Sequence, residues 1–273
     1  MHMTRFSRFP RLAQYCRLAL AVLLPLALTA PAAADLEQAR QAYRAGDWQT
    51  AVEAARSTND ADGLALASRA VLAQLMIDLD HPDRAELAEQ GIDLAEAALD
   101  RDATHVEARL NLAGALGYQG RYMSGWRAYV SRVPQRGRRI LESVVADAPE
   151  NAWAHGMLGA WHLEVARRGG SRGMRALGAS VEAGLDAYNQ AIALDPADPA
   201  LRYFLALGLI ALDAGDAGRD AWFALGRDQL EAALTLDPRD ALEAAILDEA
   251  RALRDRLDDR RAAARWADRR MRR

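Results

Sequence analysis

The sequence has a single cysteine, no lysine and none of the familiar catalytic motifs. That cysteine, Cys16, precedes an apolar segment, so the chain from Asp35 onward has no thiol for nucleophilic catalysis, iron–sulfur ligation or a cysteine zinc site. Neither Gly-x-Ser-x-Gly nor His-Glu-x-x-His occurs. We therefore expect no enzyme, no cofactor and no metal. A hydrolase built on a helical scaffold remains a further hypothesis, and it would need a cleft with paired titratable groups.

Strand-forming residues are also scarce. Aromatic residues make up 6% of the chain, and runs of β-branched residues are absent. Alanine and leucine are abundant, and they have the lowest free-energy cost in a helix. With 51% apolar residues among 273, the chain can bury a sizeable core. This composition predicts an all-α protein.

All 35 basic side chains other than histidine are arginine. Guanidinium groups suit carboxylate and phosphate recognition, although a GC-rich genome produces the same bias. Without the four arginines before the apolar segment, 31 arginines remain against 38 acidic residues, a net charge of −7. Such a chain is not suited to general nucleic-acid binding.

The segment 1–34 has the pattern of a secretory signal peptide. Four arginines precede the short apolar run LALAVLLPLALTA, which falls well below the ~20 residues of a membrane-spanning helix. Ala32-Ala33-Ala34 then supplies the small residues that signal peptidase requires. We predict cleavage before Asp35, no stable membrane span afterwards, and a periplasmic or secreted bacterial protein. Retention of the segment as an anchor is the alternative.

Four glycines recur in one phase along the rest of the chain. They are Gly91, Gly137, Gly184 and Gly226. A leucine follows each of them at the same fixed distance. These leucines are Leu112, Leu158, Leu205 and Leu247. With Ala51 as the first phase point, the pattern repeats at uneven intervals of about 40 to 47 residues, which predicts stacked helix pairs. We interpret each small residue as the point where paired helices cross closely.

The repeat predicts one domain over residues 35–273. Its five units are expected at about 36–58, 62–100, 104–147, 151–195 and 198–237, followed by one capping helix at about 241–269. The later units carry surplus residues between their two helices, at about 123–136 in the third unit and 165–180 in the fourth. Insertions of this kind collect on one edge of a solenoid and often serve binding.

The segments EARLNLAGALGYQGRY and AYNQAIALDPADPALRYFLALG resemble tetratricopeptide repeats. That family has a Leu-Gly or Leu-Ala pair in its first helix, a small residue early in its second, and a terminal proline. The resemblance implies a right-handed α-solenoid of about five helix pairs. The family's unit is shorter, at about 34 residues, and this chain also resembles uncharacterised exported bacterial proteins with lengthened repeats. It also shares features with repeat proteins of tripartite solute transporters.

In that family the first helices line a concave face. Carried over by phase, the resemblance implies a groove of aromatic, acidic and aliphatic side chains. These are Glu107, Leu110, Tyr118, Trp153, Glu164, Tyr203 and Ile210. Such a groove suits a peptide or a small organic ligand. Simple filling of a tightly wound superhelix is the alternative.

The inserted segments are basic. The stretch 121–175 contains ten arginines and four acidic residues, a net charge of +6, with Trp126 and Tyr129 among them. We predict that this edge, including Arg167 and Arg168, attracts an acidic partner. A solvated charged edge is the alternative.

Two histidines, His155 and His162, are seven positions apart and share a helix face. A metal site would need a third ligand, which the sequence does not indicate. Buried histidines with hydrogen-bond partners explain the pair better.

The sequence as a whole favours a non-enzymatic periplasmic scaffold that binds a protein or peptide partner through helical-repeat surfaces. The alternative is a small-ligand carrier, or an accessory component of a periplasmic solute-transport system. Its pocket would be enclosed by the repeats around Trp153 and Tyr203.

Overall fold

A computed structural model describes residues 30–212 and 219–273, giving the backbone alone for residues 30–34 and 219. These residues form helices and no strand. The helices are α1 (Ala30–Ala45), α2 (Trp48–Thr58), α3 (Ala61–Ile77), α4 (Arg84–Arg101), α5 (Val106–Arg121), α6 (Gly125–Val130), α7 (Val133–Asp147), α8 (Ala152–Leu177), α9 (Val181–Leu194), α10 (Pro199–Ala211), α11 (Arg219–Leu234), α12 (Ala241–Arg254) and α13 (Arg260–Arg272). Most of the predicted signal peptide lies outside the described residues.

Short polar side chains start many of these helices. Asp47 accepts a hydrogen bond from the Thr50 amide at 3.1 Å at the start of α2. Asp198 accepts from the first amides of α10, where Pro199 occupies the first helical position. Such caps satisfy amides that have no partner within the helix. The sequence therefore sets the helix boundaries locally, at its Asp, Asn and Ser residues.

Successive helices pack on one another along the chain, in the pairs α1–α2, α3–α4, α5–α7, α8–α9 and α10–α11. The expected all-α solenoid is confirmed. The surplus residues between α5 and α7 form the short helix α6. The surplus residues of the fourth unit, at about 165–180, extend α8 to Leu177. This helix is broken at Gly170, whose φ is +52°. In the described chain, no helix is both long and apolar enough to cross a bilayer.

The phased glycines do not all have the same environment. A Cβ atom at Gly184 would lie 3.2 Å from the Gly159 carbonyl oxygen, and one at Gly226 would lie 3.0 Å from Ile210. At these positions the helices approach so closely that an added Cβ atom would require a neighbouring group to shift. At Gly137 a Cβ atom would meet nothing within 4 Å. The close-crossing explanation is therefore wrong for Gly137.

The C-terminal region differs from the single capping helix expected over 241–269. The chain turns at residues 255–259, so two helices form, α12 and α13. Helix α12 packs on α10 and α11 and also contacts α1 and α3, which brings the last helices against the first. Helix α13 packs mainly on α10. The largest core cluster thus extends from Ala39 in α1 to Ala267 in α13.

Candidate functional site

Helix α13 packs on the inner face of the solenoid, mainly against α10. Tyr203 of α10 is fully buried, and its hydroxyl donates to Glu249 Oε2 of α12 at 2.9 Å. Arg270 of α13 donates through Nε to both Glu249 oxygens, at 2.8 and 2.7 Å, and through a terminal nitrogen to the Met76 carbonyl at 2.6 Å. Burial, and then the Glu249 charge, raise the pKa of Tyr203 well above its ordinary value. Tyr203 thus holds helices together and is not accessible to a ligand.

Other residues expected to line the groove belong to the core. Tyr118 and Ile210 are buried in the main cluster. Leu110 packs in a separate cluster with Leu141 and Val144 of α7. Of the two alternatives, a ligand groove and the simple filling of a tightly wound superhelix, the second describes these three residues.

The C-terminus is anchored against the first helices. Arg84, at the start of α4, is buried and donates to the Leu75 carbonyl at 2.7 Å and to the Arg273 carbonyl at 2.6 Å. On the other side of α13, Asp268 accepts from Arg167 of α8 at 2.5 Å. Helix α13 is therefore tied by polar contacts to α3, α4, α8 and α12.

A cavity of about 300 Å³ remains between α3, α8, α10 and α12. It is lined by Arg69, Trp153, Asp195, Ala200, Arg239, Asp240, Leu242, Glu243 and Ile246. Glu107 lies nearby, with its carboxylate 3.6 Å from the Arg69 guanidinium. Of the two aromatic residues expected around an enclosed pocket, Trp153 lines this cavity and Tyr203 does not.

A cluster of aromatic residues on α6 is exposed. The large apolar side chains that are exposed in the described chain all fall within residues 122–130. They are Tyr122, Trp126, Tyr129 and Val130, of which Trp126 is 76% exposed. The Trp126 and Tyr129 rings stack with centroids 6.4 Å apart and planes at 30°. Together with the neighbouring exposed Arg127 and Arg132, these four residues form what we call the aromatic–arginine surface.

This surface is held in place by its own backbone and by α8. Ser124 caps α6 by accepting from the Arg127 amide at 3.3 Å, and Ala128 is buried against the scaffold. Arg168 of α8 donates to the Gly120 and Met123 carbonyls at 2.8 and 3.1 Å, just before α6 begins. Arg168 therefore positions the surface, a role that its sequence context did not indicate.

The charge of the inserted edge is only partly neutralised by the protein. Three of its four acidic residues form ion pairs, each at 2.7 Å: Glu142 with Arg138, Asp147 with Arg109, and Glu164 with Arg167. Several arginines of the edge are exposed. They are Arg127, Arg132, Arg136, Arg139, Arg168, Arg172 and Arg175. The edge thus presents positive charge beside exposed aromatic rings.

Arg167 differs from these exposed arginines. Its side chain is 4% exposed and donates to Glu164 and to Asp268. Burial opposes the charged form, but hydrogen bonds to these two carboxylates outweigh it and raise the pKa of Arg167. The expectation that Arg167 attracts a partner from the surface does not fit this position, because the side chain is enclosed between two carboxylates.

The two histidines have hydrogen-bond partners in the protein. Nδ1 of His162, which is buried, accepts from the Ser180 amide at 3.2 Å. Burial, and then the nearby Arg138 charge, lower the pKa of His162. His155, which is partly exposed, lies with Nε2 2.8 Å from the Pro149 carbonyl oxygen. Across the described residues, no group of three potential metal ligands occurs.

Comparison with solved structures identifies the architecture. A thermophilic tetratricopeptide-repeat protein from Thermus thermophilus matches with a TM-score of 0.57 and 18% sequence identity, over 81% of this chain and 99% of that chain. This chain has the tetratricopeptide-like fold. Neither a protein-family profile nor a curated protein matches the sequence.

Within this tetratricopeptide-like fold, the position of α13 was not predicted from the sequence. Three residues of α13 are buried at a spacing of four and three: Ala263, Ala267 and Arg270. That spacing defines one helix face. Ala263 and Ala267 were the available signal for a buried helix face, but the many charged residues around them obscured it.

Proposed function

We propose that the protein is an exported bacterial scaffold that binds an acidic segment of a protein partner at the aromatic–arginine surface, without catalysis. One observation carries the proposal: every exposed large apolar side chain of the described chain lies on this surface, among exposed arginines. Clustered exposed apolar groups mark interaction sites in soluble proteins.

The chemistry of the surface indicates the kind of partner. Tryptophan, tyrosine and arginine are the residue types that contribute most binding energy at protein interfaces. The partner therefore supplies carboxylates for Arg127 and Arg132 and an apolar group that packs on the Trp126 and Tyr129 rings. The surrounding positive charge raises the association rate of an acidic segment, in a salt-dependent way.

The scaffold keeps this surface fixed before the partner arrives. Helix α6 packs on α7, and Arg168 holds the turn before it through two carbonyl groups. A preorganised surface loses less conformational entropy on binding than a mobile loop does. Because α13 covers Tyr203 on the inner face, the inserted edge is the better candidate for the binding surface.

Selection from a random peptide library on the purified protein tests this function. We expect the bound peptides to be rich in Asp and Glu and to share at least one large apolar residue. Trp126→Ala should weaken their binding by about tenfold or more, the loss typical of an interface hot spot. The control Arg175→Ala removes an exposed arginine outside the surface and should change affinity by less than about threefold. Peptides without acidic enrichment, or equal losses in both variants, would contradict the proposal.

Export is tested separately by cell fractionation and N-terminal sequencing. We expect the protein in the periplasm or the medium, with Asp35 as its first residue. A cytoplasmic protein that retains the segment before Asp35 would contradict export while leaving the binding surface untouched.

A small-ligand carrier is the second candidate, favoured by the cavity of about 300 Å³ beside Trp153. This volume is at the lower end of the range for small-molecule sites. Native mass spectrometry of the purified protein should show a bound metabolite that Trp153→Arg removes. A mass equal to that of the chain alone would contradict the carrier.

A further inference from the structure

Four arginines line a second pocket, where the end of α5 meets α8 and α13. They are Arg121, Arg167, Arg168 and Arg272, and the pocket has a volume of about 140 Å³. Two carboxylates contact the same group. Glu164 accepts from Arg167, and Asp268 accepts from both Arg167 and Arg272. Four guanidinium charges against two carboxylates leave this cluster with a net charge of +2.

Three of the four guanidinium groups are held in place by the protein, and the fourth, that of Arg272, is 68% exposed and paired with Asp268. Arg167 is 4% exposed between its two carboxylates. Arg168 is fixed by the Gly120 and Met123 carbonyls. The Arg121 guanidinium lies 4.4 Å from the centre of the Tyr118 ring, and such stacking fixes its plane. The pocket is thus preorganised by three separate helices.

Donor groups remain for a ligand. A guanidinium carries five N–H donors, and Arg272 uses its Nε for Asp268. The Arg121 Cζ atom lies over the Tyr118 ring, and contact with an aromatic ring uses none of the five N–H donors of a guanidinium. An oxyanion between these arginines would accept several charge-assisted hydrogen bonds and offset the excess positive charge.

We propose that this four-arginine pocket binds the phosphate group of a small anionic ligand. A phosphate dianion matches the net charge of +2, and its oxygens match the paired N–H groups of a guanidinium. The pocket is smaller than sites that enclose a whole drug-sized molecule. It therefore holds the phosphate group, and the rest of the ligand extends into solvent.

Phosphate in this pocket would join three helices. Arg121 belongs to α5, Arg167 and Arg168 to α8, and Arg272 to α13. Bound phosphate therefore strengthens the attachment of α13 inside the solenoid. This site does not involve Trp126 or Tyr129, and neither Arg121 nor Arg272 belongs to the aromatic–arginine surface, so variants of these two arginines test phosphate binding separately from peptide binding.

Isothermal titration calorimetry of the purified protein tests the pocket. Inorganic phosphate and glycerol phosphate are titrated separately at constant ionic strength, with chloride as the reference anion. We expect saturable binding at one site, and Arg121→Gln and Arg272→Gln should each raise Kd by about tenfold or more. The control Arg269→Gln removes an exposed charge from α13 outside the pocket and should leave Kd within about twofold.

The two titrants distinguish the source of the phosphate group. Tighter binding of glycerol phosphate indicates a phosphorylated metabolite, and tighter binding of inorganic phosphate indicates the free ion; either result supports the site. Absence of saturable heat with both titrants would overturn the proposal. So would an equal loss in all three variants, since that result reflects general charge.

Hydrogen exchange gives a second readout that a purely structural arginine would not affect. Saturating phosphate should slow amide exchange in α13, because a ligand that binds only the docked state stabilises it by mass action. Arg121 lies outside α13, and Arg121→Gln should reduce the phosphate-dependent slowing at the same phosphate concentration. Unchanged exchange in the wild-type protein at saturating phosphate would count against the proposal.

Discussion

Gly184 and Gly137 share one phase of the repeat but have different neighbours. We expect Gly184→Ala to destabilise the protein by about 1–3 kcal/mol, because its Cβ atom would crowd the Gly159 carbonyl and Leu163. Gly137→Ala should stabilise it by about 0.5–1 kcal/mol, since helix propensity improves and nothing obstructs the new methyl group. Urea denaturation of the two variants measures both changes. Changes of the same sign in both variants would show that the helix-crossing explanation is wrong.

His162 should make stability depend on pH. Burial holds its pKa below the ordinary value of 6.5, and Arg138 acts in the same direction. As the pH falls below 6.5, the unfolded chain binds a proton that the folded protein does not, so stability falls. His162→Asn keeps an acceptor for the Ser180 amide but cannot titrate. The free energy of unfolding, measured from pH 7.5 to 5.5, should fall more steeply in the wild type. Parallel slopes would contradict this role.

At the level of elements, α13 is the helix whose position depends on a few polar contacts. Arg270→Ala would leave the partly buried Glu249 carboxylate and the buried Tyr203 hydroxyl without the guanidinium. We expect a loss of about 3–5 kcal/mol in the free energy of unfolding, the usual cost of removing one partner of a buried ion pair. Arg269→Ala, at an exposed position of the same helix, should cost about 0.5 kcal/mol or less.

Equal stability of these two variants, measured by urea denaturation, would show that α13 does not depend on Arg270. Faster hydrogen exchange confined to α13 in Arg270→Ala would show, in addition, that this helix can detach while the rest of the solenoid remains folded.

The helices and their stacking could be predicted because their signals are local. Caps such as Asp198, the phased leucines and the surplus residues that became α6 are all visible within short stretches of sequence. The contacts of α13 could not be predicted in this way. Arg167 pairs with Asp268, 101 residues away, and Arg270 donates to the Met76 carbonyl across 194 residues. Periodicity carries no information about such pairings.

The same difference between local signals and distant contacts applies to the candidate site residues. Trp126 was expected to contribute to binding and is exposed, whereas Tyr203 and Tyr118 were expected in a groove and are buried. Phase within a repeat places a residue on the inner face, but it does not show whether another helix covers that face. Here the chain's own C-terminal helix covers it, and this moves the proposed binding function to the inserted edge.

At the scale of the whole molecule, the protein is a closed helical scaffold that presents one fixed aromatic and basic surface. Its last helices contact its first, and α13 packs inside against α10. The central claim is that partners bind at α6. It is tested most directly by introducing a photoreactive amino acid at position 126 or 129 in intact cells. Exposed positions 89 and 231, on α4 and α11, serve as controls.

We predict that positions 126 and 129 crosslink one shared partner protein, through a segment rich in Asp and Glu. The crosslink should disappear when Arg127 and Arg132 are replaced by glutamate, and positions 89 and 231 should not capture that partner. Equal capture from all four positions, or capture that survives the charge reversal, would contradict the account.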